Sequence, residues 1–208
     1  MTDTLPHIWT GRGNAGPVII LAHGAGAPMD SPFMLHMAED LAERDLRVLR
    51  FEFPYMAKRR EDGKKRPPDR MPVLEATFRQ AVEMAGNPEE VVIGGKSMGG
   101  RVASMIADDL GVRGLVCLGY PFHPPGKPER TRTDHLADMA TPALILQGER
   151  DPFGKREEVA GYSLSPKIEV RWIEDGNHDL VPRKATGLTA EDNWRSAADA
   201  IADFIRRI

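Results

Sequence analysis

Six short apolar runs, set apart by segments with helical spacing, limit what this chain can fold into. They are PVIILA (17–22), LRVLRFEF (46–53), EEVVIGG (89–95), GLVCLGY (114–120), ALILQG (143–148) and IEVRWIE (168–174). Each has the length of a buried strand and is too short for a buried helix. Between them apolar positions recur at helical spacing, as in Phe33, Leu35, Met37, Ala38 and Leu41, or Val73, Leu74, Phe78, Ala81 and Val82. The stretch 189–208 opens with a threonine and acidic residues, a helix-start pattern. It sets Trp194, Ala197, Ala198, Ile201, Phe204 and Ile205 on one face. Strands separated by crossover helices pair in parallel, so the prediction is a doubly wound, mostly parallel α/β sheet with helices on both faces. Reactive loops in such a sheet gather at the carboxyl ends of the strands. The 208 residues fit a single domain, 1–208.

A net charge of -3 argues against bulk attraction to nucleic acid or acidic membranes. The only cysteine, Cys117, lies in an apolar run, where it forms no intramolecular disulfide and reads as a buried hydrophobe of a reducing compartment. The stretch MTDTLPHIWTGRG lacks the basic and apolar regions of a secretory signal, and no run approaches the roughly 18 apolar residues of a membrane span. The expectation is a cytoplasmic protein that binds neither nucleic acid nor membrane. Two irregular segments, 54–72 and 121–135, follow strands and are predicted to lie as loops beside the site. The first contains KRREDGKKRPPDR (58–70), with seven basic and three acidic residues. It either captures an anionic substrate or partner, or is a solvated loop; it has no aromatic residue for base stacking.

EEVVIGG leads directly into a G-x-S-x-G pentapeptide, Gly95-Lys96-Ser97-Met98-Gly99, followed by the predicted helix MGGRVASMIADDL. The chain must turn sharply there, and Gly95 and Gly99 omit the Cβ atoms that would collide where backbones approach. Gly100 is read as packing helix on sheet, and Gly94 has no assigned part. Such a nucleophile elbow exposes the Ser97 hydroxyl and aims helix N–H groups at the reacting centre. A serine hydroxyl needs a base, and the base needs an acid that fixes its tautomer. Asp151 in QGERDPFG and His178 in EDGNHDL follow the fifth and sixth runs, in the chain order this architecture requires. Glu149 and Asp175 are alternative acids, and His23 could also reach the site. His23, however, occupies the Gly-rich turn AHGAGAPMDS and is read as shaping it with Gly24 and Gly26. The N–H groups of Met98 and Ala25 are the expected oxyanion-hole donors. Tyr55, Arg59, Phe122 and His123, in the irregular segments, are candidate substrate contacts.

With HGAG at 23–26, GKSMGG at 95–100, and an aspartate and a histidine after later strands, the sequence resembles the α/β-hydrolase superfamily over nearly its whole length. Within it, AHGAGAPMDSPFM, FEFPYM, GGKSMGGR, ERDPFG and NHDL are similar to a small dienelactone-hydrolase-like group, the KANL3/Tex30-type hydrolases. The resemblance implies an eight-stranded or slightly reduced core, no metal, no organic cofactor, and a catalytic triad of Ser97, Asp151 and His178. Two departures stand out. Dienelactone hydrolases use a cysteine where this chain has Ser97, and the gap of about 20 residues between the fourth and fifth runs is too short for a helical cap. The expected pocket is open and shallow, and the expected activity is that of a carboxylesterase or thioesterase on a small acyl substrate, through an acyl-enzyme. The rival reading is a catalytically silent interaction module that keeps the fold and binds an unidentified protein partner, as some members of that group do. A long-chain lipase would need an apolar lid and a peptidase a gating element, and neither is visible.

Overall fold

Each of the six runs is a strand in the computed structural model, which describes residues 5–13 and 16–208. β1 (His7–Thr10) is followed by β2 (Val18–Ala22), β3 (Arg47–Phe51), β4 (Val91–Lys96), β5 (Gly114–Leu118), β6 (Ala143–Gly148) and β7 (Ile168–Ile173). They form one seven-stranded sheet in the order β1-β3-β2-β4-β5-β6-β7. All neighbours pair in parallel except β1, which runs antiparallel on β3. β1 was not foreseen, because four half-exposed residues carry little periodic signal. Residues 1–4, the start of the stretch read for targeting signals, lie outside those described.

The helices are α1 (Pro32–Ala42), α2 (Pro54–Asp62), α3 (Met71–Ala85), α4 (Met98–Leu110), the single turn α5 (Arg156–Val159) and α6 (Ala190–Arg207). Alternation along β2 shows how the layers form. Ile19 and Leu21 point into a core shared with Met34, Met37 and Leu41 of α1 and Ile201 and Ile205 of α6. Ile20 and Ala22 point the other way, towards Leu74 and Phe78 of α3 and Val102 and Ile106 of α4. Each fully buried Leu, Ile or Phe contributes about 1.5–3 kcal/mol, so covering both faces is what stabilises a parallel sheet. At the start of α6 the Thr189 hydroxyl accepts from Asp192 N–H at 3.1 Å, and the Asp192 carboxylate accepts from Thr189 N–H at 2.9 Å, the reciprocal cap its opening residues predict.

The first of the two irregular segments departs from expectation. Pro54 starts α2, Tyr55 and Met56 are buried on it, and Gly63 ends it at a φ of 72°. Asp69 reaches back to accept the Tyr55 N–H at 2.8 Å, so the basic segment 58–70 is half helix and half strap rather than a free loop. Its charges are partly spent: Arg60 bonds Asp30 at 2.5 Å and also the buried Glu52, while Arg66 pairs with Asp62 at 2.6 Å. The second segment holds only a 3-10 turn, Asp134–Leu136, and no helical cap crosses the strand ends between β5 and β6. No helix among the described residues is long and apolar enough to cross a membrane.

Candidate active site

β4 ends at Lys96 and α4 begins at Met98, leaving Ser97 alone at the corner with φ 52° and ψ -112°. A non-glycine residue there costs about 1–3 kcal/mol and persists only where its surroundings fix it. The Ser97 N–H donates to the Leu118 carbonyl at 2.9 Å, and its own carbonyl accepts from Arg101 N–H at 3.0 Å. The glycines remove the obstacles. A Cβ on either Gly95 or Gly99 would strike the Ala22 carbonyl of β2, and one on Gly100 would meet the Gly95 carbonyl at 2.7 Å. Gly94 also has a steric task, because its Cβ would run into the Val116 carbonyl of β5.

His178 stands in the loop after β7, with Nε2 2.8 Å from Ser97 Oγ and Nδ1 2.8 Å from Asp151 Oδ2. Asp151, past the end of β6, is wholly buried and also accepts from Phe153 N–H at 2.9 Å and Gln147 Nε2 at 3.0 Å. With an acceptor-only carboxylate at Nδ1, that nitrogen carries the proton and Nε2 is left to accept from Ser97. The Phe153 ring lies 4.2 Å from the imidazole, tilted by 32°. Neither alternative acid reaches His178: Glu149 bonds Arg156 and the Asp175 N–H, and Asp175 is held by Arg183 and Arg150. Those contacts hold the Glu149 and Asp175 carboxyls below the usual carboxylate range, chiefly through the Asp175 N–H and the Arg183 side chain respectively.

The turn after β2 is held by the side chains of His23, Tyr55 and Arg59. His23 is fully buried, with Nδ1 2.7 Å from the Gly24 carbonyl and Nε2 accepting the Phe53 N–H at 3.1 Å, bonds that one neutral tautomer satisfies together. Burial lowers its pKa, which keeps it in that form. The Tyr55 hydroxyl, 3.3 Å from the Gly24 carbonyl and 3.0 Å from that of Ala25, helps hold both, and Arg59 Nη1 donates to the Gly26 carbonyl at 3.3 Å. In a trans peptide the C=O and N–H point oppositely, so with the Gly24 carbonyl held towards His23 and Tyr55 the Ala25 N–H points away from those two side chains. That N–H donates no backbone bond among the described residues. The N–H of Met98, first in α4, has no carbonyl within the helix to reach.

Three of the four candidate substrate contacts are corrected. Tyr55 is buried and binds the turn rather than solvent. Phe122 is fully buried against Tyr120 and Tyr162 in the core. His123 is buried with its ring nitrogens at Pro124 O, 2.9 Å, and Glu158 Oε2, 3.2 Å. Arg59 is half-buried, and its described bond is to the turn. A cleft of about 360 Å³ opens over Ser97 and His178, and none of its lining comes from 54–72 or 121–135. Its walls come from Gly24–Ala27, from Phe33 and Met34 of α1, from Phe153, and from Lys96 and Asp179. Gln147 and Lys96 were missed in the sequence, although each is a polar residue at the end of an otherwise apolar strand. Among the described residues no group of three or more His, Cys, Asp or Glu is arranged to hold a metal.

A family described as the alpha/beta hydrolase domain matches residues 15–206. The chain belongs to this alpha/beta hydrolase family. Solved structures agree on the hydrolase fold. A lidless α/β serine hydrolase from Xanthomonas campestris is 20% identical with a TM-score of 0.68, covering 98% of this chain and 86% of that one. Dienelactone hydrolase from Anabaena variabilis is also 20% identical, with a TM-score of 0.73 over 97% and 90% of the two chains. Est1E from Butyrivibrio proteoclasticus, solved with ferulic acid bound, is 16% identical with a TM-score of 0.70 over 98% and 94%. The alpha/beta hydrolase chain described here, like the first of these, has no large cap.

Proposed function

We propose that the protein is a serine hydrolase that cleaves a small carboxylic ester or thioester through an acyl-enzyme. The observation that carries this reading is the unbroken chain from Ser97 Oγ through His178 to buried Asp151, two contacts of 2.8 Å, with Ser97 facing the cleft. His178 Nε2 takes the Ser97 proton as Oγ attacks the carbonyl carbon, and Asp151 steadies the imidazolium. The carbonyl oxygen gains negative charge between the N–H groups of Met98 and Ala25. As the tetrahedral intermediate collapses, His178 gives the proton to the leaving alcohol or thiol. Water activated by the same imidazole then frees the acid and restores Ser97.

The phrases GGKSMGGR, ERDPFG and NHDL support a place for the chain beside the KANL3/Tex30-type hydrolases. A substrate of small-molecule size fits a cleft of about 360 Å³. The net charge of -3 and the lone buried cysteine support a cytoplasmic enzyme with no nucleic-acid or membrane partner. Mixing with 4-nitrophenyl acetate tests the mechanism. The expected trace is a burst of nitrophenolate stoichiometric with enzyme, absent in Ser97→Ala, and a wild-type protein that releases no nitrophenolate above the buffer rate would contradict it.

A further inference from the structure

The residue before the nucleophile is a lysine with an unusual position. The Lys96 side chain is only 8% exposed, yet the residue lines the cleft beside Ser97 and His178, and its Nζ lies 3.2 Å from Asp179 of the cleft wall. Asp179 Oδ1 is the one polar partner of that ammonium among the described residues. An ammonium has three donors, so a single contact leaves most of that capacity unused in a place water reaches poorly. Burial accordingly lowers the Lys96 pKa, against the opposing pull of Asp179. The Phe33 ring, 5.7 Å from Nζ, adds only a weak cation–π contact.

Asp179 is the opposite kind of partner. Its side chain is 62% exposed at the cleft wall, where an ion pair contributes little and a competing carboxylate can displace it. The remaining walls are mostly apolar, from Ala25, Ala27, Phe33, Met34 and Phe153. Among the described residues no arginine lines the cleft, so none of its lining side chains offers the donor fork that suits phosphate.

We infer that Lys96 is a specificity-determining residue that binds a carboxylate on the substrate, with Asp179 as a displaceable stand-in for that group. The inference rests on the serine-hydrolase reading and narrows its substrates to esters or thioesters of small acids that carry a second, free carboxylate. The substrate carboxylate takes the place of Asp179 on Nζ, the apolar walls cover the linking methylenes, and the ester carbonyl lies against Ser97.

The test compares monoethyl glutarate with its uncharged analogue ethyl hexanoate, using the ratio of their kcat/KM values in each protein near neutral pH. The wild-type ratio is expected to favour the hemiester by about tenfold or more, the worth of one charge-assisted hydrogen bond. Lys96→Met and Lys96→Gln should each erase that preference, whereas Asp179→Asn should raise it severalfold by removing the competitor. A merely structural clasp would slow both esters alike and leave the ratio where it was, and that result overturns the inference. Calorimetric titration of glutarate into Ser97→Ala, and into the same protein with Lys96→Met, separates the inference from the reaction. If neither ester is cleaved, the hydrolase reading falls; glutarate binding that needs Lys96 would still support the carboxylate site, and its absence would overturn that too.

Discussion

Two serine–histidine pairs lie within one helix length of each other and share the same contact distance. Ser97 Oγ is 2.8 Å from His178 Nε2, and Ser104 Oγ is 2.8 Å from His135 Nε2. Their surroundings differ in every respect that matters to chemistry. Ser97 stands at a φ of 52° on the cleft wall, and Asp151 backs its histidine. Ser104 is buried inside α4, where its hydroxyl donates to the Arg101 carbonyl at 2.7 Å, and no carboxylate bonds His135 among the described residues. Burial, followed by the nearby Arg101 charge, lowers the His135 pKa and leaves a weaker base with a hydroxyl no substrate reaches. A serine–histidine hydrogen bond is therefore not enough by itself to mark a nucleophile. A nucleophile also needs an open Oγ, a carboxylate behind the imidazole and donors facing the developing charge.

Substitutions should separate the two pairs by orders of magnitude. Ser97→Ala is expected to lower kcat for model esters by roughly 10⁴-fold or more, while Ser104→Ala changes it by less than about threefold. Equal losses in steady-state assays would erase the distinction. Asp151→Asn should cost about 10⁴-fold in kcat with little change in KM, because the amide favours the wrong His178 tautomer. His135 has no equivalent group to lose.

Gly99→Ala should destabilise the fold by about 3 kcal/mol, since its Cβ meets the His23 carbonyl at 2.7 Å as well as that of Ala22, and both are backbone. Urea unfolding would show it as a lower midpoint. Gln147→Leu leaves the Tyr120 N–H and one Asp151 contact unmade, at a cost of about 1–3 kcal/mol and a lower kcat. The smallest effect is on pH. The folded-state pKa of His135 is depressed, so the unfolded chain binds the extra proton first, and the stability this histidine contributes is present above the ordinary histidine value near 6.5 and lost below it. His135→Gln should flatten the fall in Tm between about pH 7.5 and about pH 5.5, although His23 retains a slope of the same sign. An unchanged slope would remove His135 from the account.

Particular residues show what was legible beforehand. Ser97, Asp151 and His178 could be placed at one sheet edge because each follows an apolar run, and in a parallel sheet run ends share an edge. Contacts made across the sequence by side chains carried no such signal. Tyr55 and Phe122 looked like loop residues next to proline and charge, yet each packs inward once α2 and the 121–135 segment fold back. Gln147 and Lys96 were hidden by their company, one polar residue at the end of each strand, whose orientation is decided by neighbours brought in from the loop after β5, from α1 and from the His178 loop. Gly94 was legible only as part of a glycine cluster, because the carbonyl it makes room for belongs to another strand.

The most direct test of the account is to incubate the protein with a fluorophosphonate and locate the adduct by peptide mass spectrometry. The expected result is one phosphonyl group on Ser97, none on Ser104, and no labelling of Ser97→Ala. An unlabelled Ser97 in folded protein, or an adduct that persists in Ser97→Ala, would contradict it.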